Sequence, residues 1–133
     1  MSSNENSNDR PITVGVIDDD PMICQAMRLI LEDYSAGRLN VVFTCTDGSQ
    51  AIDETTGHHP DVALMDIAMP GMDGRAAMDI LRKDPELAAI PILVVTGQGN
   101  VADIRAEAVL EKPLQPDRLL ATIERLLGRE NGS

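Results

Sequence analysis

A chain of 133 residues with 43% apolar side chains has enough material for one hydrophobic core and too little for two. Twenty-two acidic against eleven basic residues leave a net charge of −11, and the basic residues are scattered singly, so direct binding to nucleic acid or to an anionic membrane is not expected. The start, from Met1 to Asp9, is polar with no apolar targeting stretch, and no run elsewhere approaches membrane-spanning length, which predicts a cytoplasmic protein.

Residues 1–10 read as a disordered polar tail, 11–128 as one domain and 129–133 as a second polar tail. The first ordered run, Thr13-Val14-Gly15-Val16-Ile17, is apolar without alternation, as in a strand buried on both faces. It ends in Asp18-Asp19-Asp20. The pair Asp20-Pro21 then places a capping carboxylate before a proline at the first helical position, and Met22, Ile23, Met27, Ile30 and Leu31 mark the apolar face of that helix. Further strands are predicted at Val41–Phe43, Val62–Met65 and Ile92–Val95, with a weaker one at Val109–Leu110. Gln115-Pro116 opens a closing helix with Leu119, Leu120, Ile123, Leu126 and Leu127 on one face.

Cys24, in the first helix, and Cys45, at the end of the second strand, lack metal-binding or redox spacing and are expected to be buried free thiols. His58-His59, between Gly57 and Pro60, has no third ligand nearby and is expected in a solvated loop. The seven methionines are expected to fill the core.

Alternation of strand and helix predicts an α/β fold: a doubly wound parallel sheet with helices on both faces and right-handed crossovers. Ligands of such sheets sit beyond the carboxyl ends of the strands. The positions there are Asp18-Asp19-Asp20 after the first strand, Asp66 after the third, Thr96-Gly97 after the fourth and Glu111-Lys112-Pro113 after the fifth. Two like charges about 4 Å apart repel by roughly 4 kcal/mol at an effective dielectric near 20, so a cluster of carboxylates calls for a compensating cation. Hard oxygen donors suit Mg²⁺, with Mn²⁺ as a substitute. Asp66 is then the natural nucleophile for a phosphoryl group, forming an acyl phosphate. The Thr96 hydroxyl and Lys112, one of only two lysines, are placed to neutralise the transferred group.

These motifs, Val-Ile-Asp18-Asp19-Asp-Pro, Leu-Met-Asp66-Ile-Ala-Met-Pro70-Gly-Met-Asp-Gly74, Val-Val-Thr96-Gly97 and Glu-Lys112-Pro113, resemble the receiver domains of two-component response regulators from about Ile12 to Leu127. The resemblance implies a flavodoxin-like, five-stranded sheet of order 2-1-3-4-5. It implies that Asp66 is the phosphoacceptor, served by a sensor histidine kinase or a histidine phosphotransfer protein. By the same resemblance Asp19 contacts Mg²⁺ directly, Asp18 acts through water, and Asp66 and the backbone carbonyl of Ala68 complete the metal set. Thr96, with Gly97 after it, matches the switch hydroxyl, and Lys112 the ammonium that pairs with the phosphoryl group. Pro113 matches a proline often preceded by a cis peptide. Asp20 has no metal role in this pattern and reads as a helix cap. The protein is expected to be a signalling phosphoacceptor and not an enzyme, apart from Mg²⁺-dependent self-phosphorylation and autodephosphorylation.

The chain departs from the pattern in two places. The segment from Thr96 to Lys112 is shorter by more than one helical turn and lacks the usual Gly-Ala pair, so the fourth helix region is expected to be short, from about Val101 to Ala108 with Asn100 as cap. Val109 stands where many relatives have an aromatic switch residue. These departures motivate an alternative, an atypical receiver that binds its partner without phosphorylation. A haloacid-dehalogenase-like phosphatase, from a different class, needs a second acid where this chain has Ala68. The short remainder after Leu127 has no room for an output module, so the chain is expected to be either a stand-alone receiver acting on a separate output protein, the preferred reading, or the front piece of a regulator with a downstream output domain.

Overall fold

The protein is described here by a computed structural model covering residues 10–67, 74–97 and 106–128. Five strands, β1 (Ile12–Ile17), β2 (Leu39–Cys45), β3 (Val62–Met65), β4 (Ile92–Thr96) and β5 (Ala108–Glu111), form one parallel sheet in the order β2-β1-β3-β4-β5. Among the described residues the helices are α1 (Pro21–Tyr34), α2 (Gly48–His58), α3 (Gly74–Lys83) and α4 (Pro116–Leu126). This is the flavodoxin-like arrangement.

The sheet separates two cores. On one face Val14, Val16, Leu64, Leu93 and Val95 meet Cys24, Met27 and Leu31 of α1 and Leu119, Leu120 and Ile123 of α4. On the other, Ile17, Phe43, Met65, Ile92 and Val94 meet Ala51 of α2 and Ala77, Met78 and Leu81 of α3. Burial on both faces explains why β3 and β4 read as unbroken apolar runs.

A shift in the β1–β2 register sets Phe43 opposite Gly15. A Cβ on Gly15 would lie 2.3 Å from the Phe43 ring, so glycine is needed there for the ring to lie against β1. At the free edge of β2, the two backbone groups of Val41 are taken by α1: Arg28 donates to its carbonyl at 3.1 Å and Glu32 accepts from its N–H at 2.9 Å. Charged side chains over a sheet edge discourage pairing with another chain.

Several expectations need correction. Met22 is exposed, and the buried face of α1 is Cys24, Met27 and Leu31. His58 is the last residue of α2 and His59 its left-handed C-cap, so the pair ends a helix instead of standing in a loop. The His58 ring stacks on Phe43 and its Nε2 lies 3.2 Å from Glu54, while His59 Nε2 contacts the Glu86 carbonyl at 2.9 Å. Of the short helix expected over 101–108, residues 101–105 and the Asn100 cap lie outside the described residues. Residues 106 and 107 are not helical, and Ala108 is the first residue of β5, paired with Leu93: the Glu107 N–H already donates to the Ile92 carbonyl at 3.0 Å, which commits the chain to the sheet before Ala108. No described helix is long and apolar enough to cross a membrane.

Candidate functional site

The parallel order brings the ends of β1, β3 and β5 to one edge of the sheet. After β1, the Asp18 N–H continues the ladder to the Cys45 carbonyl at 3.1 Å; after β3, the Asp66 N–H does the same to the Ile17 carbonyl at 2.9 Å. Backbone pairing thus sets both carboxylates, which are buried, on rigid strand ends. The chain then turns at Asp18-Asp19-Asp20. Asp18 Oδ1 accepts the Asp20 N–H at 3.0 Å, and Asp20 Oδ1 accepts the Met22 N–H at 2.9 Å to cap α1. The third aspartate is a cap, as its place before Pro21 predicted.

Asp18, Asp19 and Asp66 offer carboxylate oxygens that all lie within 4.8 Å of one another. Asp18 and Asp66 are buried, and Asp19 faces solvent. Partial loss of water around Asp19, then the negative charges of Asp18 and Asp66, push its carboxyl above the usual range, with Lys112 pulling the other way. Lys112 Nζ donates to Asp18 Oδ2 at 3.0 Å and to Asp66 Oδ2 at 3.3 Å. Burial alone would lower the lysine pKa, but these two carboxylates outweigh it and raise it. One ammonium between two buried carboxylates leaves the cluster net negative, and the exposed Asp19 oxygen adds to a set of hard donors.

Thr96 is buried at the end of β4, and its carbonyl accepts the Lys112 N–H at 2.9 Å, which extends the β4–β5 ladder one step beyond Glu111. Gly97 follows, exposed. Lys112 and Pro113 are joined by a cis peptide bond. Ala68 lies outside the described residues. Cys24 and Cys45 are free and buried; the Cys24 thiol donates to the Asp18 carbonyl, 3.5 Å away.

Three clustered carboxylates and one ammonium thus stand together at the strand ends of a 2-1-3-4-5 sheet. The profile of the family described as "Response regulator receiver domain" matches residues 14–124. The chain belongs to that family. The receiver is 30% identical over 129 residues to the response regulator Rre1 of Synechocystis, covering 92% of this chain and 54% of that protein. It is 32% identical over 118 residues to protein PilH of Pseudomonas aeruginosa, covering 84% of this chain and 94% of that one. The chain thus spans about half the length of the first relative and nearly all of the second. Among solved structures, the Vibrio cholerae chemotaxis protein CheY4 superposes with a TM-score of 0.78 at 28% identity, covering 88% of this receiver and 99% of that chain.

Two side chains at the other end of β5 were not singled out from the sequence. Glu107 Oε1 accepts the Ile92 N–H at 2.7 Å and an Arg82 N–H at 2.6 Å. Arg82, from the last turn of α3, also reaches the carbonyls of Ala88 and Ile90 at 3.3 and 3.4 Å. They come together only through the tertiary fold, and no local motif signals them.

Proposed function

We propose that this receiver accepts a phosphoryl group on Asp66 from a sensor histidine kinase or a histidine phosphotransfer protein. In this reading an Asp66 carboxylate oxygen attacks the phosphorus of a phosphohistidine whose other ring nitrogen has been protonated from water, the P–N bond breaks with its electron pair going to the ring, and neutral imidazole leaves. The observation that carries it is the placement of Asp66 at a rigid strand end with Lys112 at 3.3 Å and two further carboxylates around it. Phosphoryl transfer asks little covalent work of a protein beyond positioning and charge neutralisation.

Asp18, Asp19 and Asp66, with the carbonyl of Ala68, are the residues that would hold Mg²⁺ or Mn²⁺. Three hard oxygen donors within 4.8 Å fit that ion better than a soft one. When bound, Mg²⁺ supplies positive charge toward the oxygens of the transferred group. Asp18 holds Lys112 in place through Oδ2 while Asp20 fixes its other oxygen. Lys112 pairs with the phosphoryl group once Asp66 is modified, and Thr96 with Gly97 forms the switch that reads it. The signal passes to a separate output protein or to an output domain not contained in this chain, with no direct contact to nucleic acid or membrane. The overall charge of −11 supports that last point, and the setting proposed is the cytoplasm.

The test is mass spectrometry of the intact wild type and Asp66→Asn after incubation with Mg²⁺ and acetyl phosphate, with beryllofluoride binding in parallel. An adduct on wild type alone supports the reading. Val109 at the aromatic switch position and the short β4–β5 connection favour a second reading, a phosphorylation-independent interaction module. Failure of both phosphate and beryllofluoride to bind, with partner binding equal in wild type and Asp66→Asn, would select it.

A further inference from the structure

The edge strand β5 carries Lys112 into the site, yet it is only four residues long and, among the described residues, pairs with β4 alone. Its ladder runs from the Glu107 N–H, donated to the Ile92 carbonyl at 3.0 Å, to the Lys112 N–H on Thr96. Short edge strands fray unless something else anchors them. The anchor here is a side-chain junction at the strand's entry. Glu107 Oε1 takes both the Ile92 N–H and Arg82, and Arg82 simultaneously holds two carbonyls of the α3–β4 connection. The junction therefore fastens the entry of β5 to the start of β4 and to the end of α3.

From this geometry we infer that Glu107 and Arg82 are positioning residues for Lys112, holding β5 so that its ammonium stays between Asp18 and Asp66. The inference rests on the phosphoacceptor reading for its chemical readout. Neither residue touches the reacting atoms. Their effect runs through the position of one strand, and a misplacement of about 1 Å can cost large factors in rate. The carboxylates of the metal set stand at the ends of β1 and β3, and the ammonium that β5 brings to them opposes a cation, so loosening β5 should not weaken Mg²⁺ binding.

The test compares wild type, Glu107→Ala, Glu107→Gln and Arg82→Ala as full chains. Three quantities are read: phosphorylation rate with acetyl phosphate at saturating Mg²⁺, Mg²⁺ affinity by calorimetry, and amide hydrogen exchange over 107–112. Glu107→Ala is expected to slow phosphorylation about tenfold, to leave Mg²⁺ affinity undiminished, and to speed exchange of the β5 amides. Arg82→Ala, which keeps the Ile92 cap, and Glu107→Gln, which keeps an acceptor for it, should fall between Glu107→Ala and wild type. Should Glu107→Ala fail to fold by circular dichroism, Arg82→Ala carries the same comparison. Unchanged rates in the folded variants, or a fall in Mg²⁺ affinity parallel to the rate, would overturn the inference. If wild type takes no phosphate, the phosphoacceptor reading fails by itself and exchange decides the junction: unchanged exchange over 107–112 overturns it.

Discussion

Lys112 Nζ lies 3.3 Å from Asp66 Oδ2 although 46 positions separate the two in sequence. The contact also includes Asp18, at 3.0 Å, so one ammonium lies against two buried carboxylates. Lys112→Met should therefore lower stability at neutral pH. Breaking a fully buried pair costs about 3–5 kcal/mol; the lysine is a quarter exposed, so about 1–2 kcal/mol is the expected loss after solvent screening. Urea unfolding measures it. Addition of Mg²⁺ should recover part of the loss, because a cation among the three aspartates replaces the missing charge. A variant as stable as wild type without Mg²⁺ would contradict this compensation.

Thr55 in α2 is fully buried, and its hydroxyl finds no hydrogen-bond partner among the described residues. Burying an unpaired hydroxyl costs about 1–3 kcal/mol. Thr55→Val keeps the shape and removes the penalty, so it should raise stability by about 1 kcal/mol, read as a higher urea midpoint at unchanged slope.

Gly15→Ala tests the register shift between β1 and β2. The added methyl would meet the Phe43 ring at 2.3 Å, and overpacking of this kind costs roughly 1–3 kcal/mol. Combining it with Phe43→Leu, which clears the space, should cost less than the sum of the two single changes. Strict additivity would indicate that the ring is not the obstacle.

Glu107 supplies a pH dependence. Burial alone would raise its pKa, but the Ile92 N–H and Arg82 outweigh that and lower it. A carboxylate with a depressed folded-state pKa contributes stability above the ordinary glutamate value, near 4.3, and loses it as pH falls through the lower folded value. The stability gap between wild type and Glu107→Ala should thus be full at pH 7 and close below about pH 4. A gap that widened on acidification would reverse the assigned sign.

The Cys45 thiol is pushed up to about 12 by burial first, then by Cys24, Glu54 and Asp47. Burial also raises Cys24. Thiolates are the reactive form, so at pH 8 the native protein should resist alkylation at both positions, and both should react once urea unfolds it.

The legibility of the fold follows burial. β3, enclosed on both faces, was outlined to the residue, whereas β2, on an edge, was foreseen as Val41–Phe43 and runs from Leu39 to Cys45. α2 escaped outline because GSQAIDETTGH offers little apolar periodicity; its stability comes from Ala51 against the core and the Asp47 cap on Gln50. Gly57 and Pro60 around His58-His59 suggested a loop, but α2 runs through Gly57 to His58 and is capped at His59. Asp18, Asp19, Asp66 and Lys112 could be placed together from sequence because parallel strand ends share an edge by topology. The Glu107–Arg82 junction could not, since it depends on side chains reaching between α3 and β5.

The central claim is that Asp66 carries the phosphoryl group. The most direct measurement treats the Mg²⁺ and acetyl phosphate product with borohydride, which reduces an aspartyl phosphate to homoserine, and maps the change by peptide mass spectrometry. The account predicts homoserine at position 66 and nowhere else, with none in Asp66→Asn. Homoserine at position 18 or 19, or a phosphate adduct that survives in Asp66→Asn, would contradict it.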